Sequence, residues 1–497
     1  MKDDSHSRED RFISALSKEF IVQGGSASLV DPAHAVKERV VDSAAGNNAG
    51  QPYKRLQIPD SDEPIMTTGR MNGIFKLLPY EAIIYLGLTP PLGDYFSFTP
   101  FLWNRQYGKT IEKGDWIFAA LGDPLNCAQI RTEGNGSPFQ ANTLIIFTAD
   151  RRINERLRIL ALAAGFPDSM INTYVIPSKL LKMGLEPQDD SFLILVRAAN
   201  IHEKSAADDY NGNHHYAEVS RIKPKEVPDQ LHPFNPPAQR NRKAIPEESL
   251  VQTGKSLAQS LDDLEKAILA QTPHLQHLCY DSNRWFAESR DVLETTEPQL
   301  RLYHQFAAGE ASDTPYLRSA MHGIPANFSL KNDEMVVVYG VNHQATGLAT
   351  YSNFSVYGEN ILQQEDPKAY LFGYNDPIWC GVAGMGSKDS DDPLHGNNHF
   401  TGSARHFLPD DPNADYLYAV RVARHPPLQS LGQETPPGDV PPFVVVAEPT
   451  IEDGPASGIE LDAPVTIGYR AYLNPATGSG PSYADIIPDR AIWFKLG

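Results

Sequence analysis

The chain has 497 residues, 41% hydrophobic and 21% charged, with 40 prolines and 36 glycines; this ordinary globular composition excludes disorder throughout and is long enough for about two to four domains. A formal net charge of −19 argues against general affinity for nucleic acid or an anionic membrane, because both need clustered Lys and Arg. Three widely spaced cysteines, Cys127, Cys279 and Cys380, exclude a disulfide framework and a paired-cysteine zinc site. No signal-type leader or run of about 18 apolar residues is present, so a soluble cytoplasmic protein is expected, with a processed secreted chain equally compatible.

Residues 1–68 read as a partly irregular N-terminal arm carrying one helix around "DRFISALSKEF". From 69 to 222 an α+β module is expected. "GDYFSFTPFLW", "DWIFAALG", "NTLIIFTAD" and "SFLILVRAA" are short aromatic and β-branched runs bounded by turn residues, as strands are. "RRINERLRILALAAGF" differs: Ile153, Leu157, Leu160 and Leu162 recur at helical spacing and Gly165 stops the pattern.

Between 223 and 246 stand Pro224, Pro228, Pro233, Pro236, Pro237 and Pro246, a density neither a helix interior nor a central strand tolerates, so an extended linker is predicted. A helical insert follows over 247–332, with Leu250, Leu257, Leu261, Leu264 and Ile268 in register and Pro246, Glu247 and Glu248 at its start. From 333 to 497 the runs "EMVVVYGVNH", "GLATYSNFSVYG", "DYLYAVRVA", "PPFVVVAEP", "PVTIGYRAYL" and "RAIWFKL" predict a mostly antiparallel β module with long loops. The fold class is therefore α+β: two β-rich modules with a helical insert between them. "YFSFTPF" and "YSNFSVY" resemble each other, which raises a distant duplication; Arg197 in the first half would then match either Arg421 or Arg470 in the second.

Familiar signatures fail on inspection. "TGKS" at 253–256 lacks the required upstream glycine, and "GVAGMGSK" at 381–388 has its last two residues reversed and acid where phosphate would sit. "HEKSA" at 202–206 has Ala206 in place of the second metalloprotease histidine, and no GxSxG elbow occurs.

The interval 374–406 concentrates chemistry-bearing residues: Tyr374, Asp376, Trp379, three glycines, the acids of "KDSDDP", then His395, His399 and His406. Two histidines beside a carboxylate suit an open-site divalent transition metal, which would lower the pKa of its bound water or polarise a substrate oxygen. His343, ending an apolar strand, adds a third imidazole. The expectation is an enzyme on a small organic molecule, metal-assisted and performing hydrolysis, lyase or oxygen chemistry at the rim of the C-terminal module. His343, His395 and His399 would be ligands; His406, Asp376 and Asp392 catalytic; Tyr374, Trp379 and Arg421 would touch the substrate. Its partner would be that small molecule, with no nucleic acid and no membrane. The rival reading is a non-catalytic binding or interaction protein that uses the β modules and the helical insert, the loop histidines having no chemical role. Each buried strand arginine, Arg197, Arg421 and Arg470, should find a carboxylate or hold an anionic ligand.

Overall fold

The computed structural model describes residues 7–30, 44, 46–48, 53–61, 72–106, 115–213, 216–295, 307–359, 379–387, 400–425, 442–449 and 458–496. Two units emerge. The first holds Met1–Val30, Tyr53–Gln239 and Ala287–Ala311; the second holds Asp31–Pro52, Arg240–Phe286 and Ser312–Gly497.

The first unit contains α1 (Arg8–Glu19), β1 (Phe20–Val30), β2 (Tyr53–Gln57), β3 (Ala82–Leu88), β4 (Gly93–Arg105), β5 (Asp115–Ala120), β6 (Leu125–Asn126) and β7 (Asn142–Thr148). It continues with α2 (Arg151–Ala164), β8 (Ile171–Val175), β9 (Ser191–Ile201), α3 (Lys204–Gly212) and β10 (Ala217–Pro224). The second unit opens on α4 (Leu257–Gln271), then β11 (Gln276–Arg284); α5 (Ser289–Glu294) belongs to the first. Its series runs β12 (Tyr316–Met321), β13 (Ile324–Pro325), β14 (Glu334–Val341), β15 (Tyr351–Glu359), β16 (Trp379–Gly386), β17 (Leu417–Ala423), β18 (Phe443–Val445), β19 (Val465–Tyr472) and β20 (Arg490–Lys495).

The two sheets have one topology. The first runs β5-β4-β9-β2-β1-β10-β3-β7-β8 and the second β16-β15-β19-β12-β11-β20-β14-β17-β18, so each of these nine strands has a counterpart at the same place in the sheet and in chain order; β6, paired with β4, and β13, paired with β12, stand outside the correspondence. β7–β8 and β17–β18 are the parallel pairs; the other ladders are antiparallel. The α+β class with two β-rich modules is thus what the chain adopts. The duplication goes down to residues: Ser97 faces Arg197 in one ladder and Asn353 faces Arg470 in the other, which resolves the partner of Arg197 as Arg470 and not Arg421.

Apolar periodicity explains the core. α1 buries Phe12 and Leu16, and α2 buries Ile153, Leu157 and Leu160; together they cover one face of the sheet at Ile84, Leu144, Ile146 and Ile222. Asp150 caps α2 by accepting from the Arg152 and Ile153 amides, and Gly165 ends it, as the pattern predicts. In the second unit α4 occupies the place of α1, laying Leu257, Leu261, Leu264 and Ile268 on Val337, Tyr339, Ile492 and Phe494. α4 starts at Ser256 rather than at Pro246, and Glu248 accepts from the Leu257 and Ala258 amides at 2.8 and 3.0 Å, satisfying donors that a helix start leaves open.

Two segments hold more elements than the sequence pattern predicts. The arm expected over 1–68 supplies α1, β1 and β2 to the modules. The insert expected over 247–332 holds α4 and α5 but also strands β11, β12 and β13, because "QHLCYDSNR" pairs on both sides, with β12 and β20, and that pairing overrides the leucine spacing. Residues 225–246 form no helix or strand apart from a bridge between Asp150 and Pro233, in keeping with the proline density.

Candidate functional site

Two constellations of buried polar groups stand out. The first surrounds His343, just past the end of β14. Its ring is 1% exposed. Nδ1 lies 2.8 and 3.0 Å from the two Glu247 oxygens and Nε2 lies 3.5 Å from Asp489 Oδ2. Glu247 also accepts from the Thr346 hydroxyl at 2.8 Å and the Ile487 amide at 3.0 Å, while Asp489 accepts from the Tyr418 hydroxyl at 2.8 Å. Burial alone would depress the imidazole pKa; the charges of Glu247 and Asp489, with their hydrogen bonds, outweigh it and raise the pKa to about 10. A metal-bound imidazole must be neutral with a free ring lone pair, and here both ring nitrogens face carboxylates. His343, expected as a ligand at the rim, is buried, with Glu247 at Nδ1 and Asp489 at Nε2.

The other predicted site residues fall as follows. Tyr374, Asp376, Asp392, His395 and His399 lie outside the described residues. Trp379 begins β16, its backbone paired with Glu359. His406 sits in a single 3-10 turn, Ser403–His406, where its carbonyl accepts from Gln271 at 3.4 Å. Arg421 is half-buried on β17, opposite Val337 and Phe443; its Nε has no partner among the described residues, and burial pulls its guanidinium pKa down. Among the described residues no group of three or more His, Cys, Asp or Glu side chains has the arrangement of a metal site. The glycines of "GVAGMG" belong to β16, and packing accounts for two of them: a Cβ at Gly384 would stand 2.5 Å from the Phe354 carbonyl oxygen, and one at Gly386 2.3 Å from the Tyr351 hydroxyl.

The second constellation is on the sheet face carried by β15, β16 and β19. Arg470, 3% exposed, donates through Nη2 to the carbonyls of Gly46 at 2.7 Å and Asn47 at 3.0 Å, and to the Tyr357 hydroxyl. The Tyr357 hydroxyl donates a hydrogen bond to the Asn47 carbonyl. The Asn47 side chain mimics a strand: Oδ1 accepts from the Gly381 amide at 2.8 Å and Nδ2 donates to the Gly381 carbonyl at 3.1 Å. Asn353 Nδ2 donates to Asn48 Oδ1 at 3.0 Å. A short segment of chain is therefore gripped by its backbone. Gly46, at φ 81°, makes the turn that presents two successive carbonyls to one guanidinium. Backbone oxygens and the rings of Tyr316 and Tyr357, 5.5 and 5.9 Å from the guanidinium, are among the neighbours of Arg470.

The first unit holds Arg197 at the corresponding ladder position. Arg197, 6% exposed, lies 3.4 Å from the Tyr95 hydroxyl and 5.9 Å from the Phe101 ring centre. Ala120, the ladder partner of Phe101, has its amide bonded to Ser289 Oγ at 2.9 Å; Gly381, the ladder partner of Tyr357, has its amide bonded to Asn47. Gly309, at φ 80°, donates to the Phe118 carbonyl at 2.7 Å, and Ser289 Oγ donates to the Glu310 carbonyl at 2.6 Å.

The sequence carries a signal for this pair that the reading by secondary-structure pattern passed over. "AAGNNAGQPYKR" at 44–55 and "AAGEASDTPYLR" at 307–318 align without a gap, identical at six of twelve positions. The shared Ala-Ala-Gly supplies the gripped turns and the shared Pro-Tyr-x-Arg enters β2 and β12.

No protein-family model matches the chain, and no curated protein matches it significantly. Among solved structures, one from Burkholderia cenocepacia, described as uncharacterized, aligns at 11% identity over 97% of this chain and 86% of that one, with a TM-score of 0.35. The VPA0106 protein from Vibrio parahaemolyticus aligns at 10% identity over 97% of this chain and 96% of that one, with a TM-score of 0.36.

Proposed function

We propose that the chain is a binding protein whose β modules hold short peptide segments by their backbone, rather than an enzyme on a small molecule. The observation that carries this reading is the seat of Gly46 and Asn47: one buried arginine on two carbonyls, one tyrosine on the second of them, and one asparagine amide satisfied on both sides by Gly381. Such contacts read main chain and turn geometry, and side-chain identity through the glycine and the two asparagine amides. Hydrogen bonds to a charged group contribute about 1.5–3 kcal/mol each, so Arg470 is the dominant anchor.

The test uses the full chain with Gly46→Val and Asn47→Ala together, which strains the turn and removes the amide, and a fluorescent peptide of residues 42–50. The variant should bind the peptide saturably, the unaltered chain at least tenfold more weakly because its own segment occupies the face. Adding Arg470→Met should abolish binding. A variant with intact near-ultraviolet dichroism that binds no peptide, or binds it equally well with Met at 470, would overturn the reading.

A further inference from the structure

A different pair of arginines points to a second kind of ligand. Arg55 on β2 and Arg318 on β12 are the same residue of the repeat: Arg55 faces Leu195 of β9, and Arg318 faces Gly468 of β19. Both are half-buried, burial pulls both guanidinium pKa values down, and in both the Nε is buried without a hydrogen-bond partner. Among the described residues neither pairs with a carboxylate. Two buried arginines of the first unit differ from them, Arg105 pairing with Asp190 and Arg221 with Glu81, each at 2.7 Å.

A guanidinium cannot lose its proton to escape burial, so one without a counter-charge is an unmet cost unless something brings the charge. Among the described residues their neighbours include hydroxyl, amide and indole groups. Ser28, the ladder partner of Arg55, has a buried hydroxyl with no partner. Arg318 Nη2 is 3.1 Å from Asn327 Oδ1, its guanidinium lies 5.8 Å from the Trp285 ring centre, and its ladder partner on the other side is Asn283. Planar donor forks of this kind match carboxylate and phosphate oxygens.

We propose that Arg55 and Arg318 are two copies of an oxyanion-binding position, one in each module, each taking a phosphate or carboxylate group of a ligand. The site is independent of the peptide seat at Arg470, and one can fail without the other. A chain of net charge −19 repels anions at long range, so binding should be local and sensitive to salt.

The full chain is titrated with inorganic phosphate and, separately, with sodium acetate, by calorimetry and, for phosphate, by phosphorus line width. Two equivalents are expected, weakening as sodium chloride is added. Arg55→Gln and Arg318→Gln should each leave one equivalent, and the double variant none. The Arg→Lys variants, which keep charge but lose the fork, should bind about tenfold more weakly; they also serve as folded controls should a Gln variant fail to fold. Saturation by phosphate with acetate inert identifies a phosphate site, and the reverse a carboxylate site; either supports the proposal. Binding no stronger than in the double variant, or two equivalents persisting in both single variants, overturns it.

Discussion

Replacing Glu81 with Gln should destabilise the first unit by about 3–5 kcal/mol, the largest effect expected of a single side-chain change in that unit. Glu81 and Arg221 are both fully buried side chains, with Arg221 Nη1 2.7 Å from Glu81 Oε2. The guanidinium is otherwise saturated by backbone: Nε donates to the Pro59 carbonyl at 2.9 Å and Nη2 to the Lys76 carbonyl at 3.0 Å. Glu81 in turn accepts from the Leu78 amide at 2.9 Å and from the Ser61 hydroxyl. Gln preserves the shape and most of the hydrogen bonds but leaves the arginine charge uncompensated in a core, and that is where the cost lies. Urea unfolding followed by tryptophan fluorescence and dichroism measures it as a lowered midpoint at unchanged slope. Replacing both residues with Met should cost far less than either single change, since the isolated charge then disappears. A Glu81→Gln chain as stable as the parent would show that water reaches Arg221.

The strands that were legible in the sequence are those buried on both faces or strongly apolar. "NTLIIFT", "SFLILVRAAN" and "EMVVVYGV" declare themselves because neither face needs a polar residue, and α2 does so because its apolar stripe is flanked by a cap and a stop. β1, "FIVQGGSASLV", did not, since a strand with exposed and half-buried positions needs little apolar sequence; nor did β16, whose glycines are demanded by neighbours on β15 and are invisible without the ladder. His343 stands out in the sequence at the end of an apolar strand, yet its partners Glu247 and Asp489 lie far from it in the chain, and only the fold brings two carboxylates onto one ring. The gripped segment was hardest to see. It has no periodicity, and its meaning depends on Arg470 and Tyr357 from strands that pair over long sequence separations, although the Ala-Ala-Gly to Pro-Tyr-x-Arg repeat was present to be read directly.

The second unit should lose stability as pH rises from about 6.5 toward about 10, through His343. Its pKa is raised from 6.5 to about 10 in the folded chain. The sign follows from proton counting: below about 6.5 folded and unfolded chains both hold the proton and the stabilisation is complete. Between the two values only the folded chain holds it, so stability falls by at most about 1.4 kcal/mol per pH unit; above about 10 the contribution is gone. The loss has a structural meaning. A neutral imidazole would leave Glu247 and Asp489 facing each other across a 1% exposed ring without a cation between them, and like charges in a shared buried site repel strongly. The measurement is the urea midpoint of the second unit at several pH values between 6 and 10, set against Glu247→Gln and against the Glu247→Gln/His343→Gln pair. Glu247→Gln alone should cost about 3–5 kcal/mol near neutral pH, because removing one partner of a buried pair strands the other. It should also move the decline to lower pH, since Asp489 alone then holds the imidazolium. The double variant should recover part of the cost and lose the pH dependence between 6 and 10, because the imidazole is gone and Tyr418, which burial and Asp489 raise well above the ordinary tyrosine value, does not titrate in that range. If the parent and the double variant declined in parallel with pH, the imidazolium would not be the source, and the network would be holding together by hydrogen bonds alone.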